Sequence, residues 1–266
     1  MKQRLVKASV LGDYVPSKLS FDAGERAIFM KLIPDKSVDC IITDLPYGHV
    51  TACEWDVIIP FDKLWEQYNR IIKDNGAIAL FGVEPFSSQL RMSNIKNYRY
   101  DVIWQKQQAT NPFFAKKGIM RIHENISIFY KKQPTYNPQF SYGHKNYSSF
   151  SSDESTIGEV YGSAKSVHRD CKDGSRYPTS IIQFNTERTK LHPTQKPVAL
   201  IEYLIKTFTN EGETVLDSCI GSGTTAIACI NTNRNYIGFE LKEDYYNNSI
   251  ERINKHLAEI GGVHNE

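Results

Sequence analysis

A glycine-rich turn close to the end of the chain constrains the fold more than any other feature. Residues 215–226 read Val-Leu-Asp-Ser-Cys-Ile-Gly-Ser-Gly-Thr-Thr-Ala: a short apolar strand pattern closing on an acid, then a tight turn, then the opening of a helix. Gly221 and Gly223 lack a Cβ, so the backbone there can turn sharply and lie close to a ligand. Glu240 closes the next apolar run 19 residues after Gly221, where a carboxylate can accept from ribose hydroxyls. The pattern is that of a nucleoside site. Alone it equally fits the G-x-G-x-x-A turn of a nicotinamide-dependent dehydrogenase, or a plain tight turn in an α/β protein. A phosphate-cradling NTPase loop is disfavoured because no Lys-Ser/Thr pair follows. Position separates these readings. Only 26 residues follow Glu240, too few for the further βαβ units of a doubly wound sheet, so the missing strands must come from the N-terminal half. The expected fold is a circularly permuted, Rossmann-like α/β sheet with helices on both faces.

The N-terminal half carries the required rhythm. Val38–Asp44 is a β-branched run ending in an acid and predicts a buried parallel strand. A helix is expected before it, over Ala23–Leu32. Apolar residues at Phe61, Leu64, Trp65, Tyr68, Ile71 and Ile72 share one helical face, predicting a helix over Phe61–Lys73 that Asp74-Asn75-Gly76 terminates. A strand over Ala77–Gly82, a helix over Pro85–Met92, and strands over Tyr100–Trp104 and Asn125–Tyr130 follow. From about Gln133 to Lys190 the sequence is rich in Ser, Tyr, Asn, Lys and Gly, which predicts a small appendage or a partly disordered insert. Regular pattern returns with a helix after Pro197, a strand over Thr214–Asp217, a helix over Thr224–Asn231, a strand over Tyr236–Glu240 and a last helix over Glu243–His256. The expected organisation is therefore one catalytic domain in two parts, 1–132 and 191–266, with an insert at 133–190.

Composition narrows the setting. No run of this 266-residue chain approaches the ~18 apolar residues of a membrane span, and the N-terminus has no signal-length apolar block, so a soluble cytoplasmic protein is expected. The five cysteines are odd in number and form no C-x-x-C pair, which points to reduced thiols rather than a disulfide framework or zinc ribbon. The formal charge of +2 hides an asymmetry: Arg91–Lys190 carries +8 and the remainder −6. A basic middle suits a polyanion such as nucleic acid, or is simply a solvated face.

Asp44-Leu45-Pro46-Tyr47-Gly48 directly follows the first buried strand. Ligands of an open parallel sheet bind outside the carboxyl ends of its strands, so these residues are expected on the same edge as Gly221 and Glu240. An acid, a proline-stiffened backbone and an aromatic ring suit a flat heterocycle bearing an amino group. The alternative is a surface turn with a capping aspartate.

At this point the sequence resembles a known family. Asp44-Leu45-Pro46-Tyr47 is similar to the D-P-P-Y motif of DNA methyltransferases that modify exocyclic amino groups, and residues 215–225 resemble their S-adenosylmethionine loop. His192-Pro193-Thr194-Gln195-Lys196-Pro197 resembles the H-P-T-x-K-P segment that precedes the cofactor strand in the β group of these enzymes. Phe21-Asp22, Trp104-Gln105-Lys106, His123-Glu124 and Arg234–Glu240 are further matching pieces. The resemblance implies methyl transfer from S-adenosylmethionine, yielding S-adenosylhomocysteine, to N6 of a flipped-out adenine in double-stranded DNA, with no metal. Asp44 at the first motif position resembles the adenine-modifying members more than the cytosine-N4 members, which more often carry Ser.

The same resemblance implies that Asp22 reads the cofactor's adenine, Glu240 its ribose, and Asp217, Cys219, Gly221, Gly223, Thr224 and Thr225 its methionine portion, with Thr194 and Lys196 near its carboxylate. Asp44 and the Leu45 carbonyl would accept the two amino hydrogens, Pro46 would stiffen the loop and Tyr47 would stack on the base. Trp55-Asp56, shortly downstream, either orders that loop or contributes Trp55 as plain core. Lys106, Lys116, Lys117 and Arg121, around the segment Gln-Ala-Thr-Asn-Pro-Phe-Phe-Ala-Lys-Lys-Gly, form a basic, aromatic cluster suited to DNA phosphates and bases. Residues 133–190 would read the target sequence. A separate restriction endonuclease is an expected partner of such an enzyme, in a bacterial or phage-infected cell; a monomer and a homodimer are both compatible. A cytosine-N4 DNA methyltransferase, an RNA adenine-N6 methyltransferase and an inactive nucleic-acid-binding relative remain alternatives.

Overall fold

The computed structural model describes residues 3–7, 30–48, 56–110, 112–151, 167–187 and 195–262. Asp22, Trp55 and Thr194 lie outside these residues, as does most of the helix expected over Ala23–Leu32, of which Met30 is helical.

In chain order the elements are β1 (Gln3–Lys7), β2 (Val38–Asp44), α1 (Phe61–Ile71), β3 (Ile72–Gly82), α2 (Phe86–Ser93), β4 (Tyr98–Gln105), β5 (His123–Phe129), β6 (Tyr147–Ser151), β7 (Val167–Cys171), β8 (Ile181–Gln183), α3 (Val198–Phe208), β9 (Thr214–Asp217), α4 (Thr224–Asn231), β10 (Asn235–Glu240) and α5 (Glu243–Gly262). Eight strands form one sheet in the order β1-β10-β9-β2-β3-β5-β4-β8. All neighbours pair in parallel except β5, which is antiparallel to both β3 and β4. The expected permuted, mostly parallel sheet is therefore present. Its centre joins distant sequence: β2 pairs with β9, Ile41 opposite Leu216.

Alternation along the strands decides which face each side chain enters. On β3, Ala77, Ala79 and Phe81 share a core with Leu200, Ile201 and Leu204 of α3 and Ala226 and Ile230 of α4. Ile78 and Leu80 point to the opposite face and pack with Leu64, Tyr68 and Ile71 of α1 and Phe86 and Leu90 of α2. Helices thus cover both faces, and the strands between them read as continuous apolar runs rather than alternating ones.

Three expectations need correction. Asp74-Asn75-Gly76 does not end a helix. Ile72 is already extended, α1 stops at Ile71, and the register jumps from Val38 opposite Ile72 to Cys40 opposite Ala77, so the tripeptide bulges out of β3. Ion pairs from Lys36 and Lys132, each at 3.2 Å, hold Asp74 there. At Gly76 a Cβ would stand 2.7 Å from the Asp39 carbonyl oxygen, so the residue marks a close backbone approach inside a strand. Second, the last helix continues past His256 to Gly262. Third, Ile181–Gln183, within the stretch where regular pattern was not expected, is an edge strand of the main sheet, Ile103 opposite Ile181.

The chain divides into two compact units, residues 138–179 and the remainder. Within the smaller unit β6 and β7 form an antiparallel pair, and the rings of Phe140 and Tyr177 are tilted against each other with centroids 4.7 Å apart. No helix among the described residues is long and apolar enough to cross a membrane.

Candidate functional site

The chain leaves β9 through α4 toward β10 on one side, and leaves β2 through α1 toward β3 on the other. β9 and β2 are neighbours, so the crevice between their carboxyl ends is the topological switch point where open α/β sheets bind ligands. Asp217 ends β9, Asp44 ends β2 and Glu240 ends β10, all on that edge. The two sides are stitched together: the Ser218 amide donates to Thr43 Oγ1 at 3.1 Å, and Tyr68 Oη lies 2.7 Å from Ser218 Oγ.

The glycine turn is held open by its own hydrogen bonds. Gly221 and Gly223 have φ of +54° and +80°, values that favour glycine. At Gly223 a Cβ would come within 3.2 Å of Ser249 Cβ. The Gly221 amide donates to Glu240 Oε2 at 3.0 Å, and the Lys242 amide donates to Glu240 Oε1 at 3.0 Å, fixing this half-buried carboxylate at the rim. Asp217 accepts from the Cys219 amide at 3.0 Å and from Thr225 Oγ1 at 2.6 Å, and burial pushes its carboxyl up to about 6. Arg252 of α5, not foreseen from sequence, braces the turn by donating to the Ser222 carbonyl and Thr224 Oγ1, each at 3.0 Å.

On the other wall, Asp56 Oδ1 accepts from the backbone amides of Tyr47 at 2.7 Å and Gly48 at 2.8 Å, which ties the Asp44–Gly48 loop into one shape. Gly48 has φ +82°, and a Cβ there would lie 2.4 Å from Ile58 Cγ1. Leu45 and Pro46 are buried beneath the loop. Tyr47 Oη donates to Asp44 Oδ1, and its ring is tilted against Phe86 with centroids 5.1 Å apart. Burial, with Asp44 beside it, raises the Tyr47 hydroxyl well above its ordinary pKa, so it stays a proton donor.

Lys196, expected near the cofactor's carboxylate, stands on this wall, with its ammonium between two carboxylates of the protein. Its Nζ donates to Asp44 Oδ2, lies 3.3 Å from Glu124 Oε2 and sits 5.1 Å from the Phe81 ring centroid. Lys106 pairs with the other Glu124 oxygen and lies 5.0 Å from the Trp104 ring centroid. Four charges thus alternate in a nearly buried row, Asp44, Lys196, Glu124, Lys106. Burial raises the Asp44 carboxyl above its ordinary range, with Lys196 pulling it down and Glu124 pushing it up. Burial works against the Lys196 ammonium, yet its two carboxylate partners hold it above its ordinary value. Glu124 also suffers from burial, but Lys196 and Lys106 keep it below the usual carboxylate range.

The structure therefore brings Asp44, Leu45, Pro46, Tyr47 and Lys196 to one wall, and Asp217, Cys219, Gly221, Gly223, Thr224, Thr225 and Glu240 to the facing turn. Lys106 corrects the expected basic cluster: its side chain is 12% exposed and committed to Glu124, which leaves little for a phosphate. Lys116, Lys117 and Arg121 are exposed. Glu124 was missed as a member of the row, although His123-Glu124 offered the signal.

The model of a family described as DNA methylase matches residues 38–251. Among curated proteins the chain is 27% identical over 233 residues to the type II methyltransferase M.HpaI of Haemophilus parainfluenzae, covering 84% of this chain and 70% of that protein. It is 26% identical over 254 residues to the DNA adenine methyltransferase YhdJ of Escherichia coli K12, covering 86% and 81%. The fold is like that of the solved M1.HpyAVI–SAM complex, with a TM-score of 0.56 and 24% identity over 87% of this chain and 96% of that one. Because the family match runs unbroken through the Asp44 strand, the Lys196 segment and the Gly221 turn, the chain belongs to the DNA methylase family and is a DNA methyltransferase.

Proposed function

We propose that the protein transfers a methyl group from S-adenosylmethionine to N6 of an adenine flipped out of double-stranded DNA. The observation that carries this reading is the seating of Asp44 at the end of β2, beside the β9 turn and joined to it through Thr43 and Ser218. A relative named as a DNA adenine methyltransferase supports the choice of base, and one named as a type II methyltransferase supports a separate restriction endonuclease working beside the enzyme in the cytoplasm of a bacterial or phage-infected cell.

The residues present fit the cofactor. Glu240 is held at the rim by two backbone amides with lone pairs left for a diol, and the positive-φ glycines turn the backbone tightly beside it. Glu240 would hold the ribose, and Asp217, Cys219, Gly221, Gly223, Thr224 and Thr225 the methionine portion, with Asp22 and Thr194 adding the adenine and carboxylate contacts. When bound, S-adenosylmethionine supplies a methyl group already made electrophilic by its sulfonium.

The protein's work is on the nitrogen, whose lone pair is delocalised into the ring. Asp44 accepts one amino hydrogen and the Leu45 carbonyl the other, drawing the nitrogen toward tetrahedral geometry with its lone pair toward the methyl group; that lone pair forms the new bond, the carbon–sulfur pair stays with sulfur, and the surplus N6 proton leaves through Asp44 to water. Tyr47 and Lys196 occupy one lone pair on each Asp44 oxygen and fix its orientation, and the carboxylate keeps further lone pairs for the base. The Tyr47 ring stacks on the base, and Pro46 and Asp56 keep the loop from shifting. Residues 133–190, whose central unit holds the β6–β7 pair, read the target sequence.

Tritiated methyl transfer to DNA, with sequencing that maps the modified base, tests this. Wild type should mark one adenine in a defined sequence. Asp44→Ala should still bind cofactor and lose roughly 100- to 10,000-fold in rate. Methylated cytosine, transfer to RNA alone, or undiminished transfer by the variant would each refute the reading.

A further inference from the structure

The loop between β4 and β5 holds an apolar surface that the site does not use. Its stem is a continuation of the two strands, with the Lys106 amide donating to the Ile122 carbonyl and the Thr110 amide to the Arg121 carbonyl, both at 2.8 Å. Its tip is a 3₁₀ turn over Pro112–Phe114, with the amides of Lys117 and Gly118 donating to the Phe114 carbonyl at 2.8 and 3.0 Å. Phe114 folds back over Gly118, where a Cβ would stand 2.5 Å from its ring. Phe113 and Ile119 do not fold back: they are 91% and 97% exposed. A loop ordered by its own backbone thus keeps its two most exposed apolar side chains in water, which is unfavourable relative to burial.

Three facts say what covers them. Between Gln107 and His123 the loop carries Lys116, Lys117 and Arg121 and no acidic residue, so the partner is a polyanion. β4 runs parallel to β3, since both are antiparallel to β5, so the loop leaves the sheet on the edge that carries Asp44. It is also rooted beside the site. Lys106 ends the Asp44–Lys196–Glu124 row, and Arg121 Nη2 lies 3.4 Å from the carbonyl of Glu84, two residues before the Phe86 that packs on Tyr47. A polyanion whose interior is a stack of flat apolar rings is a nucleic-acid duplex. Apolar side chains pushed between base steps unstack them, and a flipped base leaves a gap for such a side chain to fill.

We propose that Phe113 and Ile119 are a duplex-penetrating wedge, which enters the stack at the target and stabilises the extruded nucleotide, while Lys116, Lys117 and Arg121 grip the flanking phosphates. The proposal rests on the DNA reading given above. Its test uses the full chain and a duplex oligonucleotide carrying the adenine site mapped by sequencing, either fully paired or with the target adenine opposite an abasic position. Phe113→Ala combined with Ile119→Ala should lower kcat/KM on the paired duplex about 10- to 100-fold and on the abasic-opposed duplex less than about threefold, because the target there is already unpaired. Phe113→Leu with Ile119→Leu should retain most of the activity on both. Lys116→Ala with Lys117→Ala should weaken both substrates alike. An equal loss on the two duplexes, or no loss on either, overturns the wedge. Absence of methyl transfer by the wild-type protein to any DNA overturns the function reading instead.

Discussion

Thr43 and Ser218 are 175 positions apart in the chain, yet the Ser218 amide donates to Thr43 Oγ1 at 3.1 Å inside the sheet. This bond fixes the distance between the wall that carries Asp44 and the turn that carries Gly221. Thr43→Val keeps the shape of the side chain and leaves a buried amide without its acceptor, which costs about 1–3 kcal/mol. Urea unfolding should register that loss, and equilibrium titration should register weaker binding of S-adenosylmethionine. Unchanged values in both measurements would show that the two walls are held by other contacts.

Lys196 balances Asp44 and Glu124. Lys196→Met leaves two buried carboxylates facing each other without their shared cation, a change worth roughly 3–5 kcal/mol of stability. The Asp44 carboxyl, already raised by burial, loses the partner that lowers it and rises further. Because transfer uses ionised Asp44, the acidic limb of the pH–rate profile moves to higher pH, and Lys196→Arg restores much of the wild-type profile. A profile that keeps its position would separate Lys196 from the chemistry.

Asp217 predicts a pH-dependent stability of a definite sign. Its carboxyl is pushed up to about 6 by burial, above the ~3.9 of an unfolded aspartate. The folded protein therefore favours the protonated form. The group's contribution is complete below about pH 4, is lost mostly between pH 4 and pH 6, and levels off above about pH 7 at on the order of 3 kcal/mol of lost stability. Asp217→Asn removes that titration. Its stability relative to wild type should improve between about pH 4 and pH 6.5 in urea unfolding and then level off; a difference that does not vary with pH across that window would contradict the assignment.

Binding to DNA should carry the signature of the exposed cations on the β4–β5 loop. Lys116→Ala with Lys117→Ala should reduce the slope of log affinity against log salt by nearly 2, if each ammonium neutralises one phosphate. Lys106→Ala should leave the slope unchanged and lower thermal stability instead, because that ammonium serves Glu124. The reverse outcome would exchange their roles.

The parts of the molecule legible in sequence were those fixed by local pattern. β2, β9, α4 and the Gly221 turn are each set by a period, a glycine or a closing acid within a dozen residues. The permuted strand order followed from the lateness of the turn alone. What escaped was fixed by neighbours distant in sequence. The bulge at Asp74-Asn75-Gly76 reads locally as a helix terminator, and only the Lys36 and Lys132 pairs and the Asp39 carbonyl make it part of a strand. β8 is three residues long and acquires its identity from β4. Lys106 looks like any basic residue beside a basic loop, and its burial depends on Glu124 across the hairpin.

The row Asp44, Lys196, Glu124, Lys106 sums to zero, with two members of each sign. Losing any single member strands an odd charge away from water, whereas an adjacent acid and base could be replaced together by apolar side chains at little cost. Replacements at the Glu124 and Lys106 end should therefore survive as couples and fail as individuals. A gene drifting one codon at a time must cross that unbalanced intermediate, so this part of the wall is shielded from gradual change by its electrostatics.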